Sequence, residues 1–499
     1  MKRIIASLLL TSICAFSFAD NLMVSQDDQI TVTGSNITLG SLVKQVEDQT
    51  NYLFVYSTDD VNINQSVVVT SGRKTVAQCL VEALSGTNLK YVFENNYIIL
   101  TTQNPEFLTI SGKVIDSQSR RPLASASVYM PNRGLSIVTN GDGYFQLKFS
   151  PELIKERVEI SYLGYNTVVK TVKELFDSKE NTIQLQTVAY NLTASMIRPT
   201  DALGIVEQAI AKIPENYHTN PMRMTSYYRE MIRKGDTYVT LTEAVLDIRK
   251  GSYNNLGSRD MLSIYKGRGS VDWKKIDTIF VKFRGGMQTA LEIDAAKNPF
   301  FGVDSRMIKN YYTFEKEQMA IIDGRSNYVI AFDQTRPGED ILFRGKLYID
   351  EISLALSRVD FYMNVENHPD EAVNMFIKRR PAGLKAKIRE AHYIVQYKEI
   401  NGKWVFNYSR TELKFDSKWD KKLFKSTYTI VSEMAITESS DSDFKIPFDK
   451  RVRHDDITLD KVSDFKDDNF WEGYNVIEPE YTIEQVLSRI TKQLKKKKR

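Results

Sequence analysis

Apolar residues along this chain follow two periods, and the order of the two restricts the fold more than any single motif. Over residues 30–102 helical spacing alternates with short strand runs, whereas from residue 108 onward most apolar runs alternate in twos. Leu39, Leu42, Val43 and Val46 share one helical face, and Val76, Leu80, Val81 and Leu84 share another. Segments 29–32, 53–56 and 66–69 read as strands, and 91–94 turns at Asn95-Asn96 into 97–100 as a hairpin. Two helices on one face of a small sheet make an α+β unit of βαββαβ type.

The N-terminus reads as an export signal. Lys2 and Arg3 precede a short apolar run, and Ser17-Phe18-Ala19 offers small residues for a cut before Asp20. The run falls short of the about 20 apolar residues a membrane helix needs. Cys14 lies inside it, behind Thr11-Ser12-Ile13, a poor lipoprotein box, and its lipidation stays open. Cleavage after Ala19 leaves Cys79 as the lone cysteine, so no internal disulfide is available and each domain needs its own core. Cys79 sits in an apolar helical pattern and reads as core. The expected location is the periplasm or the inner face of the outer membrane.

The net charge of +4 is set by the chain ends. Residues 492–499 carry six positive charges and no negative ones; without them, Lys2 and Arg3 the charge falls to −4. The tail reads as a solvated helix end, or as a peripheral contact with anionic headgroups. With no basic patch elsewhere, nucleic acid is not an expected partner. A capping box, Thr482-Ile483-Glu484-Gln485, opens the last helix, with Ile483, Val486, Leu487, Ile490 and Leu494 on one side.

The strand–helix order of the first unit resembles the secretin and TonB short N-terminal (STN) domain. The likeness is carried by Leu39-x-x-Leu42-Val43-x-x-Val46, Thr75-Val76 into Leu84, and Gly86-Thr87-Asn88-Leu89-Lys90-Tyr91 leading to the closing hairpin. It implies a non-catalytic protein-interaction module. Behind the linker Gln103-Asn104-Pro105, a second resemblance is carried by four pieces in order. These are Gly112-x-Val114-x-Asp116, Pro122-Leu123-x-x-Ala126-x-Val128, Thr139 to Gly143-x-Phe145, and Ser161-Tyr162-x-Gly164-Tyr165. This is similar to the carboxypeptidase regulatory-like domain, which implies an all-β prealbumin-like sandwich with a structural or docking role. Asn140 stands where that family often has Asp.

The remaining 300 residues open with a helix over 202–213, ended by Pro214, and continue as strands in meander order. Lys234-Gly235-Asp236, Asp323-Gly324 and Asn401-Gly402 mark hairpins between 225–232 and 238–249, 319–322 and 328–332, and 393–400 and 404–415. Segments 342–349, 355–365 and 426–436 add further strands. The phrase 345–361 loosely resembles the curved sheets of lipoprotein carriers. Tyr227-Tyr228-Arg229-Glu230 and 242–246 resemble a domain found beside regulatory-like sandwiches in Bacteroidetes envelope proteins. Charges at Lys282, Arg284, Glu315, Lys316 and Glu317 favour a soluble sheet over a membrane barrel. The expected class is α+β multidomain: signal peptide 1–19, STN-like module 20–103, sandwich 107–188, and a β-rich domain 200–499 forming a curved sheet or half-barrel with a few helices.

Motifs for chemistry are thin. His368-Pro369-Asp370-Glu371 supplies an H-x-x-E, which could give two zinc ligands with His392 or His454 as a third. The meander is the wrong architecture for a zinc peptidase, and His368 reads as an exposed turn. Gly267-Arg268-Gly269 and Gly285-Gly286 read as turns or strand ends, and Asp455-Asp456 and Asp467-Asp468 as solvated surface. No catalytic, cofactor-binding or metal-binding residue is assigned, and no cofactor is expected. The 26 Tyr and 24 Phe are a surplus. Tyr311-Tyr312-x-Phe314 and Asn298-Pro299-Phe300-Phe301-Gly302 suit either an apolar groove or ordinary cross-strand pairing. The expected function is a non-enzymatic envelope adaptor working with TonB-dependent uptake, its partner a TonB-dependent receptor or an anti-sigma regulator. A periplasmic carrier of a lipid or other apolar ligand is the alternative, and a hydrolase the third. Strands 29–32 and 66–69 are the candidate edges for partner capture, and the sequence does not say which is free.

Overall fold

The computed structural model describes residues 28–480 except 57–60, 95, 103–106, 132, 179, 189–200, 236, 256, 272–281, 284–285, 301–304, 337, 339, 380–381, 421–422, 443, 455, 465–470 and 472. The expected signal peptide with Cys14, the linker at 103–105, and the C-terminal helix with its basic tail lie outside the described residues, as do Asp467-Asp468. The chain divides into two compact units, 1–106 and 107–499. Among the described residues no helix is long and apolar enough to cross a membrane.

In the first unit, helix Leu39–Gln49 begins where the Thr38 hydroxyl accepts from Ser41 N–H. Helix Val76–Leu84 begins with a complete capping box, Thr75 with Gln78. Leu39, Leu42, Val43 and Val46 are buried, as their spacing predicts. The second helix is turned from expectation: Val81 faces solvent, while Cys79 and Ala83 join Val76, Leu80 and Leu84 inside. Three small sheets meet these helices. Gln29–Val32 pairs with Gly72–Thr75, a strand too polar to be read from sequence; Asn36–Thr38 pairs with Ser66–Val68. Tyr97–Thr102 lies between Leu53–Val55, parallel, and Leu89–Glu94, antiparallel.

Among the described residues the second unit holds a seven-stranded sandwich and a twelve-stranded sheet. The sandwich faces four strands (Leu135–Val138, Ser127–Met130, Arg157–Ser161, Val168–Thr171) against three (Tyr144–Phe149, Leu108–Asp116, Thr182–Leu185). Val114, Val128, Phe145, Leu147 and Ile160 fill the space between. Gly143 has φ +80°, and a Cβ there would stand 2.6 Å from the Val114 carbonyl oxygen, so the turn before Phe145 requires glycine.

The large sheet departs from a simple meander. Its order runs Tyr312–Lys316, Arg325–Gln334, Phe343–Asp350, Leu356–Met363, Leu384–Ile400, Lys403–Trp419, Ser426–Ser440, then back to Met222–Lys234, Thr237–Lys250, Met261–Val271 and the short Ser463–Asp464, while Ala320–Ile322 also pairs with Arg325–Gln334. The first hairpin therefore docks on the last long strand, with Tyr227 opposite Ala435. Both faces are covered. Helices Ala202–Ala211, Gly286–Glu292 and Pro369–Phe376 pack on one face with Tyr228, Ile330, Phe361 and Val395. Helix Ala202–Ala211 stops before the expected 213, and Pro214 sits in the first turn of a short second helix, Ile213–Asn216.

The sandwich packs on the other face. Ser136 donates to Asn407 at 3.1 Å and to the Ile436 carbonyl, and Tyr129 donates to the Glu399 carbonyl at 3.2 Å. Tyr227 and Tyr408 are buried in the sandwich's own core cluster. The segment running on from Trp471 then straps the two together. Asn475 accepts from Lys148 N–H at 2.6 Å and donates back to its carbonyl at 3.0 Å, while Val476 and Ile477 enter the sandwich core. The Asn140 amide donates to the Pro479 carbonyl at 3.3 Å, a bond an Asp could not make; its carbonyl accepts from Asp142 and Tyr144 N–H.

Candidate protein-interaction site

The three-stranded sheet of the first unit turns Phe54, Tyr91, Phe93, Ile98 and Leu100 toward the helices. Side chains alternate along a strand, so the residues between them point outward. Five of those residues are also apolar, with Lys90 on the same side. Val55, Ile99 and Val92 form one cross-strand row, and Leu53 and Tyr97 begin the next. Val92 is 52% exposed, Leu53 49% and Tyr97 43%. The signal was present in the sequence: Leu53-Phe54-Val55 and Tyr97-Ile98-Ile99 are apolar at both parities, whereas a sheet covered on one side should alternate with polar residues.

The edges differ in availability. Strand 29–32, one of the two candidate edges, is sealed by side chains: Gln49 accepts from Thr31 N–H at 2.8 Å and donates to its carbonyl at 3.0 Å, and Gln45 does the same for Thr33 at 2.8 and 3.3 Å. At Leu53–Val55, the Glu47 carboxylate accepts from Phe54 N–H at 2.9 Å. Ser66–Val68 is only three residues long, and beyond it Thr70 N–H is held by Glu82 at 2.9 Å. Leu89–Glu94 is six residues long and, among the described residues, pairs only with Tyr97–Thr102. An open edge beside an apolar face is the arrangement that accepts an added strand.

Polar groups around this unit are committed to its own structure. Lys74 donates to Glu82 at 2.7 Å, and with the Thr70 bonds it holds the Glu82 carboxyl down at about 2. Burial pushes the Cys79 thiol up to about 11, which keeps it from acting as a thiolate nucleophile at neutral pH.

The zinc-type residues do not come together. His368 lies 3.7 Å from Glu371 and bonds the Gly338 carbonyl at 2.9 Å. His392 pairs with Asp360 at 2.7 Å and stacks on Tyr362, and His454 faces Glu292 at 3.3 Å. Among the described residues no group of three His, Cys, Asp or Glu is placed to hold a metal ion. Gly267 and Gly269 lie within strand Met261–Val271 under Val462 and Leu459, and Gly286 starts a helix; Gly285 and Asp455 lie outside the described residues. Asp456 is held by Arg453 N–H and Lys461.

The aromatic surplus is largely core. Phe300 stacks on Phe361 at 4.5 Å and Phe361 on Tyr393 at 5.0 Å, with Phe343, Phe332 and Tyr312 edge-on or tilted around them. Tyr311 alone of its motif is well exposed, and Phe301 and Gly302 lie outside the described residues. Beneath helix Gly286–Glu292 a buried polar cluster takes two lysines and two aspartates. Lys250 reaches Asp260 at 2.6 Å and Asp294 at 2.7 Å, Lys297 reaches Asp260 at 2.7 Å, and Tyr253 and Tyr397 both donate to Asp294 at 2.7 Å. Charges balance and each aspartate is saturated, which is the chemistry of a structural pin.

Residues 52–103 match the family model of the secretin and TonB N terminus short domain, and residues 110–197 that of the CarboxypepD_reg-like domain. Both resemblances read from the sequence thus stand over those residues. No curated protein matches the chain. Among solved structures, a LolA superfamily protein from Nitrosomonas europaea is 12% identical, with 50% of this chain and 96% of that one covered and a TM-score of 0.19. A DUF1329 family protein from Desulfovibrio piger is 12% identical over 48% and 94%, with a TM-score of 0.20. The ferripyoverdine receptor of the outer membrane of Pseudomonas aeruginosa is 11% identical over 86% and 60%, with a TM-score of 0.15.

Proposed function

We propose that this chain is a non-enzymatic adaptor of the cell envelope, associated with TonB-dependent outer-membrane uptake, and that its first unit captures a protein partner. The observation that carries the reading is the outward apolar face of Leu53, Val55, Val92 and Tyr97 beside the open Leu89–Glu94 edge. The STN match over 52–103 covers this sheet and supports the assignment. The partner's chain adds to the edge through main-chain hydrogen bonds, while alternate side chains cover the apolar rows. The second unit serves as a scaffold. A carrier role has less support, because the helix-side face of the large sheet is already filled by its own helices and aromatic cluster.

Deleting 20–106 while keeping the export signal tests the adaptor reading. Co-purification from envelope fractions is expected to lose the partner, while the remaining chain gives an unchanged unfolding transition. Retention of the same partner by the truncated protein overturns it.

A further inference from the structure

We infer that one end of the large sheet is a contact site for an anionic lipid surface, centred on Leu423 and Phe424. These two residues follow Asp420 in the connection between the long strands Lys403–Trp419 and Ser426–Ser440, and they are 82% and 80% exposed. Large apolar side chains at such exposure are costly to leave in water, and two adjacent ones are placed here at the tip of a hairpin.

Charge surrounds them. Lys418 and Lys425 flank the tip, and Lys385, Lys387 and Arg389 stand on the neighbouring strand, whose Leu384 pairs with Trp419. On the far side the Met222–Lys234 strand brings Lys234 opposite Tyr428, and Gly235 N–H bonds the Thr427 carbonyl at 3.2 Å. Among the described residues the acidic ones at this end are Asp416, which takes Arg389 at 2.6 Å and Lys425 at 2.8 Å, and Asp420, which takes Lys385 at 3.1 Å. Positive charge therefore remains in excess around the apolar pair.

The geometry selects a bilayer over a protein. Both consecutive side chains are open to solvent, whereas a protein partner docked on one face of a hairpin covers one parity. A lipid phase surrounds a tip and buries both, while lysines at its base meet headgroup phosphates and their stems lie along the apolar boundary. The opposite end of the sheet, where Ile352 is equally exposed at 82%, offers a control. Ile352 lies in the turn between Phe343–Asp350 and Leu356–Met363, and Arg358 pairs with Gln396, which puts that turn at the Ile400 end.

The test uses the mature full chain with Leu423→Cys or Ile352→Cys carrying an environment-sensitive fluorophore; Cys79 is buried and does not compete. Vesicles of phosphatidylcholine with about one-third phosphatidylglycerol are expected to blue-shift the label at 423 and not at 352. The L423S/F424S variant is expected to bind the same vesicles at least tenfold more weakly, with an unchanged circular dichroism spectrum, and K418E/K425E to weaken binding further at low salt. A shift at both positions, a shift at neither, or vesicle binding unaltered in L423S/F424S overturns the inference, the last by assigning any binding to another part of the chain.

Discussion

Two buried glutamates on neighbouring strands show how local surroundings reverse the same chemistry. Burial pushes Glu433 up, but Arg410 at 2.7 Å and Arg229 at 3.1 Å outweigh it and hold the carboxyl at about 2. Its contribution to stability is present above the unfolded carboxylate range and is lost as pH falls toward 2. Glu230 sits on the opposite face and, among the described residues, pairs with no cation: Tyr228 donates to it at 2.9 Å and Thr458 at 3.3 Å, and burial raises its pKa. A raised carboxyl favours the folded state at low pH, and that contribution is lost as pH rises through the folded value. Glu230→Gln is therefore expected to raise the urea midpoint more at pH 8 than at pH 5, flattening the pH profile. An equal shift at both pH values would show that Glu230 titrates alike in the folded and unfolded chain. Neither environment was legible from sequence, because Tyr228-Arg229-Glu230 alternates between faces whose partners come from residues 433 and 458.

At the scale of elements, turn chemistry was the most legible signal. Asp323-Gly324 and Asn401-Gly402 both take positive φ at the two central positions (52° and 75°, 51° and 77°), the conformation the dipeptides predict for two-residue hairpins. Gly402→Val is expected to destabilise the second unit by about 1–2 kcal/mol, the usual cost of a left-handed backbone for a β-branched residue. Chemical denaturation checks this, and a neutral result would mean the turn relaxes. Strand starts were less legible. Leu384–Ile400 begins nine residues before the expected 393, because its inward positions include Ala386 and Ala391 and its outward ones are charged, so the alternation is present but faint. The order of the sheet was hidden altogether: pairing of Met222–Lys234 with Ser426–Ser440 depends on a contact across about 200 residues, which local pattern does not encode.

For the whole molecule, burial on both faces means that consecutive side chains of the central strands are buried, charged ones such as Arg229, Glu230 and Glu243 included. Tyr227 and Tyr228 are adjacent and both fully buried, one against the sandwich and one against the helices. The sandwich, expected as a module of its own over 107–188, has its core completed by Val476 and Ile477 and by side chains of the large sheet. The first unit contrasts with this. Its sheet has one covered face, a second face that exposes Leu53, Val55, Val92 and Tyr97 and, among the described residues, an unpaired edge at Leu89–Glu94, and recognition is assigned to it on that ground.

The most direct measurement of that assignment is partner capture by the full chain carrying Val92→Glu and Tyr97→Glu, compared with the wild type in the same envelope extract. Both side chains point outward, so the circular dichroism spectrum and unfolding midpoint are expected to stay unchanged while capture falls at least tenfold, the equivalent of about 1.4 kcal/mol. Undiminished capture of the same partner by the folded double variant would contradict the account and move recognition elsewhere in the chain.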